Sequence, residues 1–213
     1  MIIGRNAKIW TRLTTYPALR NAIALGHKDV ASFEGVAGDV VWILSYAREP
    51  AQNTALFRML KKRLSADTRV LYVSTATANV AHFTGCYTYP RVKQLAEEDA
   101  EKILGATIVR IGLVHDVSEE LPGGHSAVTS VTQLAEAIAG PPPQEALLRL
   151  YKMHSKPFGS HLESNAYRVY GALQRLVGRY PCMLRPLDVL LRTLGWRWYG
   201  YLYLSNRMIE AEA

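Results

Sequence analysis

Tyr89 and Lys93 stand four residues apart in the run Tyr89-Pro90-Arg91-Val92-Lys93. On a helix that spacing puts both side chains on one face, one turn apart. A phenol titrates near pH 10, too high to exchange protons freely at neutral pH. An ammonium beside it stabilises the phenolate and lowers that value. Thr75, with Ser74 as second choice and Thr77 nearby, supplies a hydroxyl to hold a substrate oxygen or share the proton. Such a trio can move a proton to or from a carbinol while hydride passes to or from a nicotinamide. Tyr-x-x-x-Lys alone recurs in many helices as a packed ring beside a solvated amine. Here its setting gives it weight. It opens a helix, follows a Ser/Thr-rich strand end and precedes a strand ending in Arg110-Ile111-Gly112.

The elements that must position these groups follow from periodicity. Met1-Ile2-Ile3, residues 21–26, 39–45, 69–74 and 107–111 predict strands, mostly apolar on both faces. Residues 7–14, 53–64, 90–104 and 131–139 predict helices. In 53–64, Leu56, Met59, Leu60 and Leu64 form the inward stripe and Arg58, Lys61, Lys62 and Arg63 the wet one. Pro90 suits a first helical turn, where a missing N–H costs nothing. Strands alternating with helices predict an α/β fold, a parallel sheet covered on both faces. After Pro143 the pattern predicts helices over 144–153, 165–177 and 185–194, then an aromatic stretch at 195–204.

In order and spacing, these segments resemble the short-chain dehydrogenase/reductase superfamily, in its extended branch of NAD-dependent epimerases and dehydratases. The resemblance rests on Ile2-Ile3-Gly4, Ala24-Leu25-Gly26, residues 39–44, Asn53, Val70–Thr75, Tyr89-x-x-x-Lys93, Val109-Arg110-Ile111-Gly112 and Val131–Ile138, and covers roughly 1–140. It implies a Rossmann-like, doubly wound dinucleotide-binding domain over 1–140. Residues 144–213 would then be a basic, aromatic, helical cap. By the same resemblance Tyr89 is the acid/base, Lys93 its partner and a ribose contact, and Thr75 or Ser74 the hydroxyl. Gly4, Arg5, Asn6 and Ala7 would form the phosphate loop. His27, Lys28, Ser45, Tyr46, Ala47, Ile111 and Gly112 would line the cofactor. The implied activity is NAD(P)-dependent epimerisation, dehydration or reduction of a nucleotide-linked or lipid-linked sugar, in surface-polysaccharide biosynthesis.

Two segments depart from the family pattern. A loop expected to carry three glycines reads Gly4-Arg5-Asn6-Ala7-Lys8-Ile9-Trp10. Its glycines would admit a pyrophosphate and let the helix pack closely on its strand. Trp10 in the third place predicts a helix pushed off the sheet, or a ring filling what the sheet lacks. Helix-terminal amides, with Arg5 or Lys8, would then hold the phosphate. After the second strand, Gly26-His27-Lys28-Asp29 leans toward NADP over NAD. Only about a dozen residues separate this turn from the next strand, too few for a further strand and helix, so the fold is expected to be trimmed there. A non-catalytic Rossmann-like binding or scaffold protein is the alternative these departures raise.

Charge is uneven. The net charge is +7, yet residues 1–145 are nearly balanced. Residues 146–207 hold ten Lys/Arg against Glu163 and Asp188. In that segment Trp196, Trp198, Tyr199, Tyr201 and Tyr203 suit a membrane interface and the arginines suit headgroups, so 185–207 is a candidate for peripheral membrane contact. A phosphate clamp, a homodimer contact, or a solvated basic face over a small aromatic core are the other readings. No nucleic-acid module is visible. Hydrophobic residues at 49% and charged residues at 20% are globular values. No apolar run reaches membrane-span length, and no signal-peptide pattern opens the chain. Cys86 and Cys182 match no metal spacing, so no metal is expected, and both are expected to be reduced in a cytoplasmic protein. His115-Asp116 and His125 are polar loop residues on this reading.

Overall fold

The computed structural model describes residues 1–32, 40–116, 119–121, 123–177, 180, 183–193 and 200–212. The chain runs through β1 (Ile2–Ile3), α1 (Lys8–Leu13), β2 (Ala24–Leu25), β3 (Val40–Ile43), α2 (Pro50–Lys61) and β4 (Arg69–Thr75). It continues through α3 (Val80–Phe83), α4 (Thr88–Leu104), β5 (Thr107–Ile111), β6 (Leu113–His115), β7 (Gly124–Ser130) and α5 (Val131–Ala139). Then follow β8 (Leu147–Leu150), β9 (Lys152–Lys156), α6 (His161–Val177), α7 (Leu184–Thr193) and α8 (Gly200–Glu212).

Six strands form one sheet in the order β2-β1-β3-β4-β5-β8, every pair parallel. Alternate residues feed opposite layers. Ile3, Val41, Ile43, Val70, Tyr72 and Ile108 meet Leu56, Phe57 and Leu60 of α2 and Ala96, Ala100 and Leu104 of α4. Ile2, Trp42, Leu44, Leu71, Val73, Val109 and Ile111 meet Trp10 and Leu13 of α1 and Val131, Leu134 and Ala135 of α5. Each large apolar side chain in these layers contributes about 1.5–3 kcal/mol by leaving water. The sheet is the Rossmann-like α/β architecture. β2 is its edge, and among the described residues no strand lies beyond it, so the fold is trimmed where the short 26–39 spacing predicts.

Trp10 does not displace the helix into solvent. Its ring is buried in the α1–α5 layer beside Trp42 and Leu13, so it fills core volume that a glycine would leave to the sheet.

One helix prediction fails. Residues 144–153 are not helical: Leu147–Leu150 is a sheet strand paired with β5, and β9 begins at Lys152. A four-residue stretch such as Leu-Leu-Arg-Leu does not discriminate strand from helix by periodicity. The open edge of β5 decides it, because its unpaired N–H and C=O groups need partners. A second sheet, β6-β7-β9, also goes unpredicted. Gly112 joins the two sheets. A Cβ there would collide with the Ala127 carbonyl, and its N–H donates to Thr129 Oγ1 at 2.9 Å.

The C-terminal region is helical. α8 is fastened to β7 by Asn206, which accepts from Ala127 N–H at 3.2 Å and donates to His125 O at 2.8 Å. Among the described residues no helix is long and apolar enough to cross a membrane. Of the five rings considered for an interface, Trp196, Trp198 and Tyr199 lie outside the described residues, as does Cys182. Tyr201 and Tyr203 pack inward, on Tyr87 and Tyr89 and on Tyr167 and Tyr170 respectively.

Candidate active site

β1 sends the chain to β2 on one side and β3 continues on the other, so the strand order reverses between β1 and β3. Crevices at the carboxyl ends of strands gather at such a reversal. A cleft of about 740 Å³ opens there, bounded by Gly4, Arg5, Asn6, Ala7, Lys8, His27, Lys28, Ser45 and Tyr46, with Tyr89 and Lys93 at its inner end. A second cavity of about 400 Å³ lies beyond them, bounded by Ser74, Thr75, Thr77, Ile111, Gly112, Tyr201 and Ser205 among others. Tyr89 and Lys93 line both. Of the residues proposed for a cofactor, Ala47 alone lines neither. Its backbone is instead gripped by Asn53, buried at 1% exposure, through Ala47 N–H to Oδ1 at 2.6 Å and Nδ2–H to Ala47 O at 2.9 Å. That clamp fixes the loop carrying Tyr46.

The cleft floor depends on Gly4. Its φ is +124°, and a Cβ there would press on Ser45 at 3.0 Å. Ser45 Oγ in turn shares a 2.6 Å hydrogen bond with His27 Nε2, and burial holds the His27 imidazole below its usual range. Asp29 Oδ2 accepts from Gly26 N–H at 2.9 Å and pairs with Arg5 at 2.8 Å. The helix after the loop is shorter than expected: α1 spans six residues and has no side-chain cap. Its macrodipole is correspondingly weak, so Lys8 and Lys28 are the anion-binding groups on offer, with Arg5 beside them already paired with Asp29.

Tyr89 sits in the first turn of α4, and Lys93 follows one turn later. Lys93 is 5% exposed. Its ammonium lies 4.2 Å from the Tyr46 ring centroid and 5.4 Å from that of Tyr72, within cation–π range. Burial lowers its pKa to about 8, against an opposing pull from Glu97. The phenol behaves contrary to the sequence expectation. Burial, with Tyr46 and Tyr201 adding, pushes Tyr89 up to about 12, and a hydrogen bond with Thr75 pulls the other way. Desolvation of the ring outweighs any help from Lys93. Tyr89 therefore rests as a proton donor, flanked edge-on by Tyr46 and tilted against Tyr201, each at 5.7 Å.

The hydroxyls divide. Thr75 Oγ1 accepts from Thr77 N–H at 3.3 Å and meets Thr77 Oγ1 at 3.2 Å. Ser74 is buried, and its Oγ has no hydrogen-bond partner among the described residues. Behind Lys93, Glu97 receives Arg110 through Nε at 3.1 and 3.2 Å and Nη2 at 2.6 Å, and Arg110 Nη1 reaches Asn79. Sequence reasoning missed this buried network, although Glu97 stands four residues after Lys93 on the same helix face. It also missed Ser205 and Asn206 on α8, whose stretch of sequence shows only an aromatic run. His115 lies in β6, away from both cavities, and His125 faces Glu210 at 3.3 Å.

The parallel sheet and its switch-point cleft define a Rossmann-like α/β protein. A scan against protein-family models finds no match, and a search of curated proteins finds none. Among solved structures the chain is similar to the capsular polysaccharide assembling protein CapF from Staphylococcus aureus, with a TM-score of 0.51 and 13% identity. The likeness covers 72% of this chain and 53% of that one, so the chain spans about half the length of that structure. At this identity the likeness is one of fold.

Proposed function

We propose that the chain is an NAD(P)-dependent enzyme of the short-chain dehydrogenase/reductase type, interconverting a carbinol and a carbonyl on a sugar during polysaccharide assembly. The observation that carries this reading is the shared wall: Tyr89 and Lys93 face a dinucleotide-sized cleft on one side and a second cavity on the other. The resemblance in the first 140 residues supports the class. The fold likeness to a capsular polysaccharide assembling protein supports the setting.

The cleft residues fit a dinucleotide. Gly4 lets the loop pass close to Ser45, where a Cβ would press on it, and Lys8 and Lys28, with Arg5 paired to Asp29, bring positive charge to the cleft walls. Asp29 lines the same cleft but is already engaged by Arg5 and Gly26, and His27 and Lys28 stand beside it, which favours NADP over NAD. A bound nicotinamide would accept or return hydride. Tyr89 Oη gives or takes the proton of the substrate oxygen, Thr75 holds that oxygen, and Lys93 supplies the charge that a developing phenolate needs. Tyr46 and Tyr72 keep water from the ammonium.

The six-residue α1 and the raised phenol favour a second reading, a Rossmann-like binding protein without catalysis. Turnover of NADPH with sugar carbonyl substrates by the wild type, lost in Tyr89→Phe with the fold intact, supports the enzyme. Absence of dinucleotide binding supports the alternative.

A further inference from the structure

α6 is buried on one side and bare on another. Tyr170 is buried, and Tyr167 and Tyr170 meet Tyr203 of α8 with ring centroids 5.8 and 5.6 Å apart. Phe158 closes on Tyr167 at 5.0 Å. Those contacts hold the helix to the body. Leu162, Val169 and Leu176 stand off that face, 81%, 58% and 64% exposed. Steps of seven residues return to nearly the same side of a helix, drifting about 20° each, so the three form one apolar stripe about 21 Å long. Large apolar side chains stay bare further along: Tyr180 after α6, and Val189 and Leu190 on α7, are each more than half exposed. Such residues in succession mark a contact surface, where single ones do not.

The charge around the stripe indicates what meets it. Residues 161–193 hold five arginines against Glu163 and Asp188, and no lysine. Glu163 is engaged at the start of α6, where its carboxylate accepts from Gly159 N–H at 3.1 Å. Arg168 is exposed, one position before Val169, and Arg175 repeats that relation with Leu176 in the sequence. An apolar stripe with a parallel row of arginines suits a helix lying in the headgroup layer of an anionic bilayer. A second copy of the chain fits less well. Asn165 and Ala172 stand between the large residues and do not knit a helix pair, and an antiparallel copy would set one arginine row against the other. We propose that α6, with the apolar residues of 180–190, docks lengthwise on an anionic membrane surface. This moves the membrane contact away from Tyr201 and Tyr203, which pack inward. The docked face lies one helix from the candidate centre, because α8 turns Tyr203 to α6 and Tyr201 to Tyr89. The proposal does not depend on the dehydrogenase reading.

The test uses the full chain and two vesicle populations in co-sedimentation: phosphatidylcholine alone, and phosphatidylcholine with phosphatidylglycerol at about three to one. Binding to the anionic vesicles is expected to exceed binding to the neutral ones at least tenfold and to fall as salt rises. Leu162→Gln, Val169→Gln and Leu176→Gln combined should lower it tenfold or more. Arg168→Gln with Arg175→Gln should lower it and flatten the salt dependence. Ile23→Gln, which removes a comparably exposed apolar side chain beside β2, should change nothing. Hydrogen exchange on the wild type needs no variant: anionic vesicles should protect peptides covering 161–193. Equal binding to both vesicles, binding indifferent to the three Gln changes, or protection that spares 161–193 overturns the proposal. So does a dimer that dissolves in the triple variant while vesicles go unbound, which assigns the stripe to a second copy. NADP+ binding in the same samples is scored separately, since its failure removes the oxidoreductase reading and leaves vesicle binding untouched.

Discussion

The Lys93 ammonium rests on the face of Tyr46, 4.2 Å from the ring centroid, at the junction of two cavities. The position is stabilised by the ring quadrupole and penalised by burial, and burial wins, lowering the pKa to about 8. A charge kept there at a cost to folding is what a reaction centre requires and a core does not.

Stability should therefore trade against activity at this position. Between about pH 8 and the usual lysine value the unfolded chain binds a proton that the folded chain lacks. Stability from this group rises with pH across that window, and its cost is fully present below it. Lys93→Met should raise stability at pH 7 by about 1–3 kcal/mol, flatten the rise above pH 8 and abolish turnover. Denaturant melts at pH 7 and pH 9.5 check this. A less stable Lys93→Met would contradict it.

Tyr89→Phe should lower kcat on the order of 10²–10⁴-fold while leaving stability and dinucleotide affinity nearly unchanged. With its pKa near 12, the phenol stays protonated through the neutral range, so carbonyl reduction should not track its titration there. The break expected in that pH profile lies near 8 and belongs to Lys93. A flat profile from pH 7 to 9.5 would contradict the assignment.

Glu97→Gln should destabilise the protein by about 2–4 kcal/mol, since it strips the half-buried Arg110 of its carboxylate. It also removes the group that holds the Lys93 pKa up. In whatever fraction folds, the pH break should move below 8. Calorimetry and a pH–rate profile on the same variant read both effects. Substituting exposed Glu98 is the control, expected to change neither.

Gly4→Ala meets two obstacles, a positive φ and the Ser45 side chain at 3.0 Å. It should cost about 1–3 kcal/mol and weaken NADP+ at least tenfold, readable by thermal melts with and without the dinucleotide.

What the sequence shows of this molecule follows from how local each signal is. Val131–Ala139 is predicted to its ends because Ser130 caps it, accepting from Gln133 N–H, and Gly140 with its prolines stops it. Tyr89 and Lys93 are legible because one helical turn sets their relation. The sheet of β6, β7 and β9 is not, because β7 and β9 are largely polar and its strands pair across long separations, and Gly112 marks it only through an approach to Ala127 that no local pattern encodes. The lowered Lys93 and raised Tyr89 are illegible for the same reason. Burial sets both first, and Tyr46 and Tyr201 reach Tyr89 from distant parts of the chain.

The most direct measurement is titration of NADP+ and NAD+ into the wild-type chain, followed by tryptophan fluorescence. Trp10 lies in the core behind Ile9, which lines the cleft. Saturable binding at sub-millimolar concentration, tighter for NADP+ and weakened in Gly4→Ala, is the expected result. No change with either dinucleotide at millimolar concentration would contradict the assignment of this cleft and of the centre Tyr89 and Lys93 form beside it.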